Sequence, residues 1–220
     1  MIIEHPLVSC EVLEIKPRIF AVIIKDDYDR AMLFCRYQEF YESPFDEIRG
    51  EYFTLEELMR IYTKKNKKPH FTYPSDWGGY NIPSDVLLKA FKVFAGTKNQ
   101  YDKIMYEIGF FCEKKTNGLP FYLIGVDKLK SKTMNHEIAH GLYYTNHSYK
   151  EVCNTLINDI PIRVYNRIKK ELIKIGYFDD KKIIDDEIQA FLSTGLIREF
   201  DDDDVKNLSK KFIKNFKNHI

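Results

Sequence analysis

The chain has 220 residues, 44% hydrophobic and 30% charged, with a formal net charge of +1. This is the balance of a folded globular chain with enough length for one sizeable core, and it excludes a disordered class. The near-neutral charge excludes a general attraction to nucleic acid or to an anionic membrane, so neither is expected as a partner.

The opening stretch "MIIEHPLVSCEVLEIKPRIF" has no basic segment followed by an apolar one, because Glu4, His5 and Pro6 interrupt it. No signal peptide is readable, and no run approaches transmembrane length. Cys10, Cys35, Cys112 and Cys153 are far apart, without a CxxC pair. That spacing argues against a disulfide framework and for a reducing compartment, so a cytoplasmic location is expected.

Residues 10–26 read as two short strands around Pro17, or as one strand with an extended lead-in. The stronger part is the apolar, β-branched "IFAVIIK" at 19–25. A helix over 27–43 follows, with Asp27 or Asp29 near its start and Pro44 beyond its end. A second helix covers 54–65, where Thr54 and Glu57 form a capping box and Leu55, Leu58, Met59 and Tyr62 form one apolar stripe. Residues 73–85, with two prolines, two adjacent glycines and the single tryptophan, Trp77, are expected to be a structured loop that plugs the core. Ser84 is expected to cap a helix running from Asp85 to about Ala95. Another helix covers 100–114. "FYLIGV" (121–126) reads as a strand, and a helix carrying "TMNHEIAHGLYYTN" (133–146) comes directly after it.

From 149 to 176 the pattern is helical, with a break near Pro161 and a stop at Gly176. A further helix spans 181–195, and an amphipathic terminal helix spans 201–218 with its acids at the N-terminal end. The expected class is α+β in one domain over 1–220. Its strand-containing half covers 1–130, and a mostly helical half covers 131–220.

His136-Glu137-Ile138-Ala139-His140 is an HExxH sequence. Positions i and i+4 of a helix share one face, so two imidazoles there reach one metal ion. Glu137 stands beside the first of them, within reach of a water on that ion. The apolar, compact Ile138 and Ala139 suit a buried helix. The competing reading is a helix with two structural histidines.

Over 118–145 the chain resembles the zincin metallopeptidases, in which an HExxH helix packs on a mixed sheet. That resemblance implies Zn²⁺, a small mixed sheet on the HExxH helix, and a peptide or protein substrate. The metzincin extension fails, since Tyr143 stands at its glycine and Asn146 at its third histidine, with His147 one residue late. The inverted motif HxxEH is absent. The gluzincin pattern takes its third ligand from a later helix. Here "Glu-x-x-Ala-aromatic" is matched by Glu187, Ala190 and Phe191. Glu187 is therefore the implied third ligand, with His147, Asp185, Asp186 and Glu171 as competitors.

On this resemblance His136, His140 and Glu187 hold Zn²⁺ and Glu137 is the general base. Tyr143 or Tyr144, three and four residues past His140, is a candidate to steady the oxyanion. Asp185 or Asp186 is a candidate to orient a ligand histidine. The expected function is zinc-dependent hydrolysis of a peptide or protein amide bond. The alternative is a zincin-like metal-binding module that recognises a partner without turnover.

Overall fold

The computed structural model describes residues 1–96, 98–129, 132–195 and 203–220. The chain forms two compact units, Met1–Lys130 and Ser131–Ile220. The first is a five-stranded sheet with helices, and the second is helical, so the class is mixed α+β.

In the first unit the strands are β1 (Ile2–Glu4), β2 (Ser9–Lys16), β3 (Ile19–Ile23), β4 (Tyr80–Pro83) and β5 (Tyr122–Val126). Their order is β1-β2-β3-β5-β4. β3 and β5 run parallel, with Ile19 opposite Tyr122 and Ile23 opposite Val126; every other pair is antiparallel. The central pair reads as continuous apolar sequence, and all of β5 is buried. That is the pattern of strands covered on both faces.

The helices of this unit are α1 (Asp27–Glu42), α2 (Leu55–Lys65), α3 (Tyr73–Asp76), α4 (Ser84–Val93) and α5 (Gln100–Lys115). Asp26 caps α1, with Asp27 and Asp29 in its first turn, and the Thr54–Glu57 capping box forms as expected. Helix α1 lies close on the sheet because Gly125 has no side chain. A Cβ there would meet the Phe34 ring at 2.7 Å, so a larger residue would force the helix or the ring away.

Two stretches differ from the sequence expectation. Residues 73–85 are not one loop but the short helix α3 and the edge strand β4. An edge strand tolerates Pro83, because the missing N–H need not serve a second neighbour. The plug is made by Tyr73 and Tyr80, buried and stacked with centroids 6.1 Å apart, while Trp77 is exposed. Ser84 does not cap α4. It is the first helical residue, and its hydroxyl accepts from the Phe121 N–H at 3.1 Å, tying α4 to the residue that precedes β5.

The second unit contains α6 (Lys132–Thr145), α7 (His147–Asn158), α8 (Ile162–Lys174), α9 (Lys181–Thr194) and α10 (Asp203–Lys217). Pro161 separates α7 from α8, and Gly195, at φ 71°, ends α9 in the left-handed conformation. Within the expected terminal helix, residues 201 and 202 lie outside the described residues. Helix α9 packs on α6, α7, α8 and α10. Its buried Ile184, Ile188 and Leu192 recur at four-residue spacing, and each contributes about 1.5–3 kcal/mol by leaving water. All four cysteines are free and buried. No helix among the described residues is long and apolar enough to cross a membrane.

Candidate metal centre

Two helices of the second unit supply the centre. On α6, His136 and His140 stand one turn apart, interleaved with the buried Met134, Ile138, Ala139 and Leu142. Opposite is α9, whose sequence Asp185-Asp186-Glu187 places three acids in a row. Consecutive helical residues are rotated by roughly 100° about the axis, so these acids point three ways. Asp185 accepts from the Tyr165 hydroxyl at 2.8 Å and pairs with Lys181. Asp186 lies 2.9 Å from His140 Nδ1. Glu187 faces both imidazoles, with one carboxylate oxygen 3.6 Å from His136 Nε2 and the other 3.6 Å from His140 Nε2.

The two Nε2 atoms are 3.2 Å apart, and the rings are nearly perpendicular, at 87°. One ligand atom from each of His136, His140 and Glu187 lies within 4.8 Å of the others. Two atoms bound tetrahedrally to zinc at its usual bond lengths are separated by about 3.3 Å, so these spacings match the edges of such a site. All the central groups are buried, with 7% of His136, 6% of Glu137, 3% of His140 and 4% of Glu187 exposed. Among the described residues, Glu187 Oε2 has no hydrogen-bond partner, and neither does His136 Nδ1. A buried carboxylate oxygen without a donor is costly. A cation shared with two imidazole nitrogens would satisfy it. The donor set and the orphaned oxygen both fit a zinc ion.

The two histidines are supported differently. His140 Nδ1 meets Asp186 Oδ1, and Gln189 Nε2 donates to the same oxygen at 2.8 Å. Burial opposes a charge on His140, but the Asp186 and Glu187 carboxylates outweigh it, holding the imidazole pKa well above its ordinary value in the metal-free protein. A metal ion must displace that proton to bind. His136 instead packs on the Phe191 ring, with centroids 4.5 Å apart. Phe191 is the aromatic of the Glu-x-x-Ala-aromatic pattern, so this element of the pattern has a contact at the site.

Other expected site residues fall as follows. Glu137 is buried next to His136 on α6, and Tyr144 is half-buried four residues past His140. The Tyr143 hydroxyl donates to Asn154 Oδ1 at 2.6 Å, so its one proton is engaged on α7. His147 is exposed beside Glu151, and Glu171 pairs with Lys174; neither joins the cluster. Asp186 sits behind His140 rather than among the ligand atoms. Sequence reasoning passed over Gln189. The available signal was a polar residue three positions after Asp186, between the apolar Ile188 and Ala190.

No protein-family model, no curated protein and no solved structure matches this chain.

Proposed function

We propose that the protein is a zinc-dependent metallopeptidase of the zincin type, hydrolysing a peptide or protein amide bond. The observation that carries this reading is the convergence of His136, His140 and Glu187 ligand atoms within 4.8 Å, from the two histidines of an HExxH helix and a buried acid on another helix. His136 Nε2, His140 Nε2 and the Glu187 carboxylate would hold the ion. Zinc, when bound, supplies a Lewis acid and lowers the pKa of a water to about 7.

The remaining roles belong to the chain. Glu137 takes the proton of the attacking water and returns it to the leaving amine. Its burial strengthens both transfers by keeping bulk water from competing for the carboxylate. Asp186 holds the His140 ring by its Nδ1, so that Nε2 is the nitrogen turned toward the ligand cluster. Tyr144 is the remaining hydroxyl candidate for steadying the oxyanion, since Tyr143 gives its proton to Asn154.

Metal analysis of wild type beside His136→Ala and Glu187→Ala tests the ligand set. Near-stoichiometric zinc in wild type and none in either variant is the expected result. Zinc kept by Glu187→Ala would remove the third ligand. Turnover is then read with a quenched-fluorescence peptide library. Glu137→Gln should keep zinc and lose about 10²–10⁴ in rate, the range for a general base. Zinc binding without cleavage of any library member by wild type would instead favour a metal-dependent binding module.

A further inference from the structure

We propose that Gln189 is a positioning residue of this metal centre and that Tyr149 holds the far end of its amide. The inference rests on the zinc-site reading above and concerns how that site is held ready. Gln189 is fully buried, on a helix whose neighbouring positions are apolar. A buried amide is costly unless its donors and acceptor are bonded. Here each end has a defined partner. Gln189 Nε2 donates to Asp186 Oδ1 at 2.8 Å, and Gln189 Oε1 accepts from the Tyr149 hydroxyl at 2.8 Å.

The order of donors follows from counting protons. Tyr149 has one hydroxyl proton, and it goes to Gln189. Ser193 Oγ, 3.1 Å from the Tyr149 oxygen, must therefore be the donor in that contact. The chain of protons runs from Ser193 to Tyr149, to Gln189, to Asp186. From the other side, His140 Nδ1 meets the same Asp186 oxygen at 2.9 Å. Every donor points at Asp186. A flipped Gln189 amide would set its oxygen against the Asp186 carboxylate, which has no proton to give.

Two consequences bear on the metal. Asp186 is confined to accepting, so the His140 proton stays on Nδ1. Nε2 is then the nitrogen turned to the point shared with His136 Nε2 and Glu187, and the one that gives up its proton to a metal ion. His136 has no such support, since its Nδ1 lacks a partner among the described residues. One ligand is thus fixed before metal arrives, and the relay ending at Gln189 and Tyr149 is what fixes it. Tyr149 is held in turn from α10, where Asn215 Nδ2 donates to its backbone carbonyl at 3.4 Å.

The test measures zinc affinity by chelator competition and the visible spectrum of the cobalt-substituted protein. The variants are Gln189→Met, Tyr149→Phe and, as a packing control on the same helix, Ile184→Val. Gln189→Met should weaken zinc by about 10–100-fold, the range for a group behind a metal ligand, and shift the cobalt bands. Tyr149→Phe removes one oxygen atom and should weaken zinc by about 3–10-fold. Ile184→Val should lower thermal stability and leave both readouts as in wild type. Equal zinc affinity and superimposable cobalt spectra in wild type and Gln189→Met would overturn the proposal. Should Gln189→Met not fold, the same null result in Tyr149→Phe overturns it. A wild type that binds zinc, loses it in His136→Ala and ignores both relay variants defeats this inference alone. A wild type that binds no zinc defeats the function reading as well.

Discussion

The two units bury charge in different ways. In the first, Asp102 on α5 accepts from Arg36, from the Tyr37 hydroxyl at 3.0 Å and from the Asn99 N–H at 2.9 Å. Arg36 also donates to the Phe53 carbonyl, and its guanidinium lies 3.9 Å over the Phe94 ring. One buried cation meets one buried anion, and both are residues. In the second unit Glu187 meets two imidazoles and, among the described residues, no lysine or arginine. Asp186 and Glu137 add further acid beside the same histidines. In the first cluster each charge finds its counter-charge on the chain itself, whereas the second has the composition of a coordination shell. The contrast teaches that burial of ionisable groups is not itself a sign of function. What distinguishes α6 and α9 is that ligand atoms of His136, His140 and Glu187 converge within 4.8 Å of one another.

The largest test of this contrast removes a partner from the closed cluster. Arg36→Met should leave Asp102 buried without its cation and cost about 3–5 kcal/mol of unfolding free energy, with zinc or with chelator present alike. Urea unfolding under both conditions checks it. A loss below about 1 kcal/mol would mean that the pair is not a structural closure. Next in size is the effect of metal. At free zinc 100 times its Kd, linkage adds about 2.7 kcal/mol to the state that binds it. Hydrogen exchange should show that protection rising over α6 and α9 more than over β3 and β5. Equal gains in all four elements would break the division drawn here.

Much of this was readable before the structure, and the limit is physical. HExxH is local: helical periodicity alone puts His136 and His140 on one face. Glu187 was reached through its resemblance pattern with Ala190 and Phe191. The choice among Asp185, Asp186 and Glu187 could not be settled by periodicity, because all three lie on one turn and only the packing of α9 on α6 decides which faces the histidines. Asp186 meets His140 across 46 positions of sequence, and no local signal encodes such a contact. In the first unit, Thr54 and Glu57 announced their cap. The β4 edge strand was hidden because Pro83 and the glycines at 78 and 79 carry the composition of a loop, and its pairing with β5 is visible only in three dimensions.

A buried carboxylate in the first unit blurs the contrast and gives a smaller prediction. Glu39 is buried, and its Oε2 has no partner among the described residues. Burial raises its pKa, and the neighbouring Ser43 and Tyr73 side chains only partly offset this. The folded state therefore holds the Glu39 proton more tightly than the unfolded chain does. Its contribution to stability is full below the ordinary carboxylate pKa and is lost as pH rises through the raised folded value. Glu39→Gln should remove that loss and stabilise the protein at neutral pH by about 1–2 kcal/mol, with little change in mild acid. A destabilised variant at neutral pH would mean that the Glu39 charge is used, and that the first unit also holds an open site.

The smallest expected effect separates Tyr143 from the chemistry. Its hydroxyl lies 2.6 Å from Asn154 Oδ1 and donates its proton there. An oxyanion needs that same proton, and a phenol has one to give. Both residues are half-buried, so water can replace the lost donor in Tyr143→Phe. The cost should be about 0.5–1 kcal/mol, at the low end for a hydrogen bond because the acceptor is not stranded. Turnover on any peptide the protein cleaves should stay within about twofold, while removal of an oxyanion donor costs about 10²–10³. A hundredfold loss with zinc and stability intact would show that Tyr143 leaves Asn154 during the reaction, and would return it to the role its spacing from His140 first suggested.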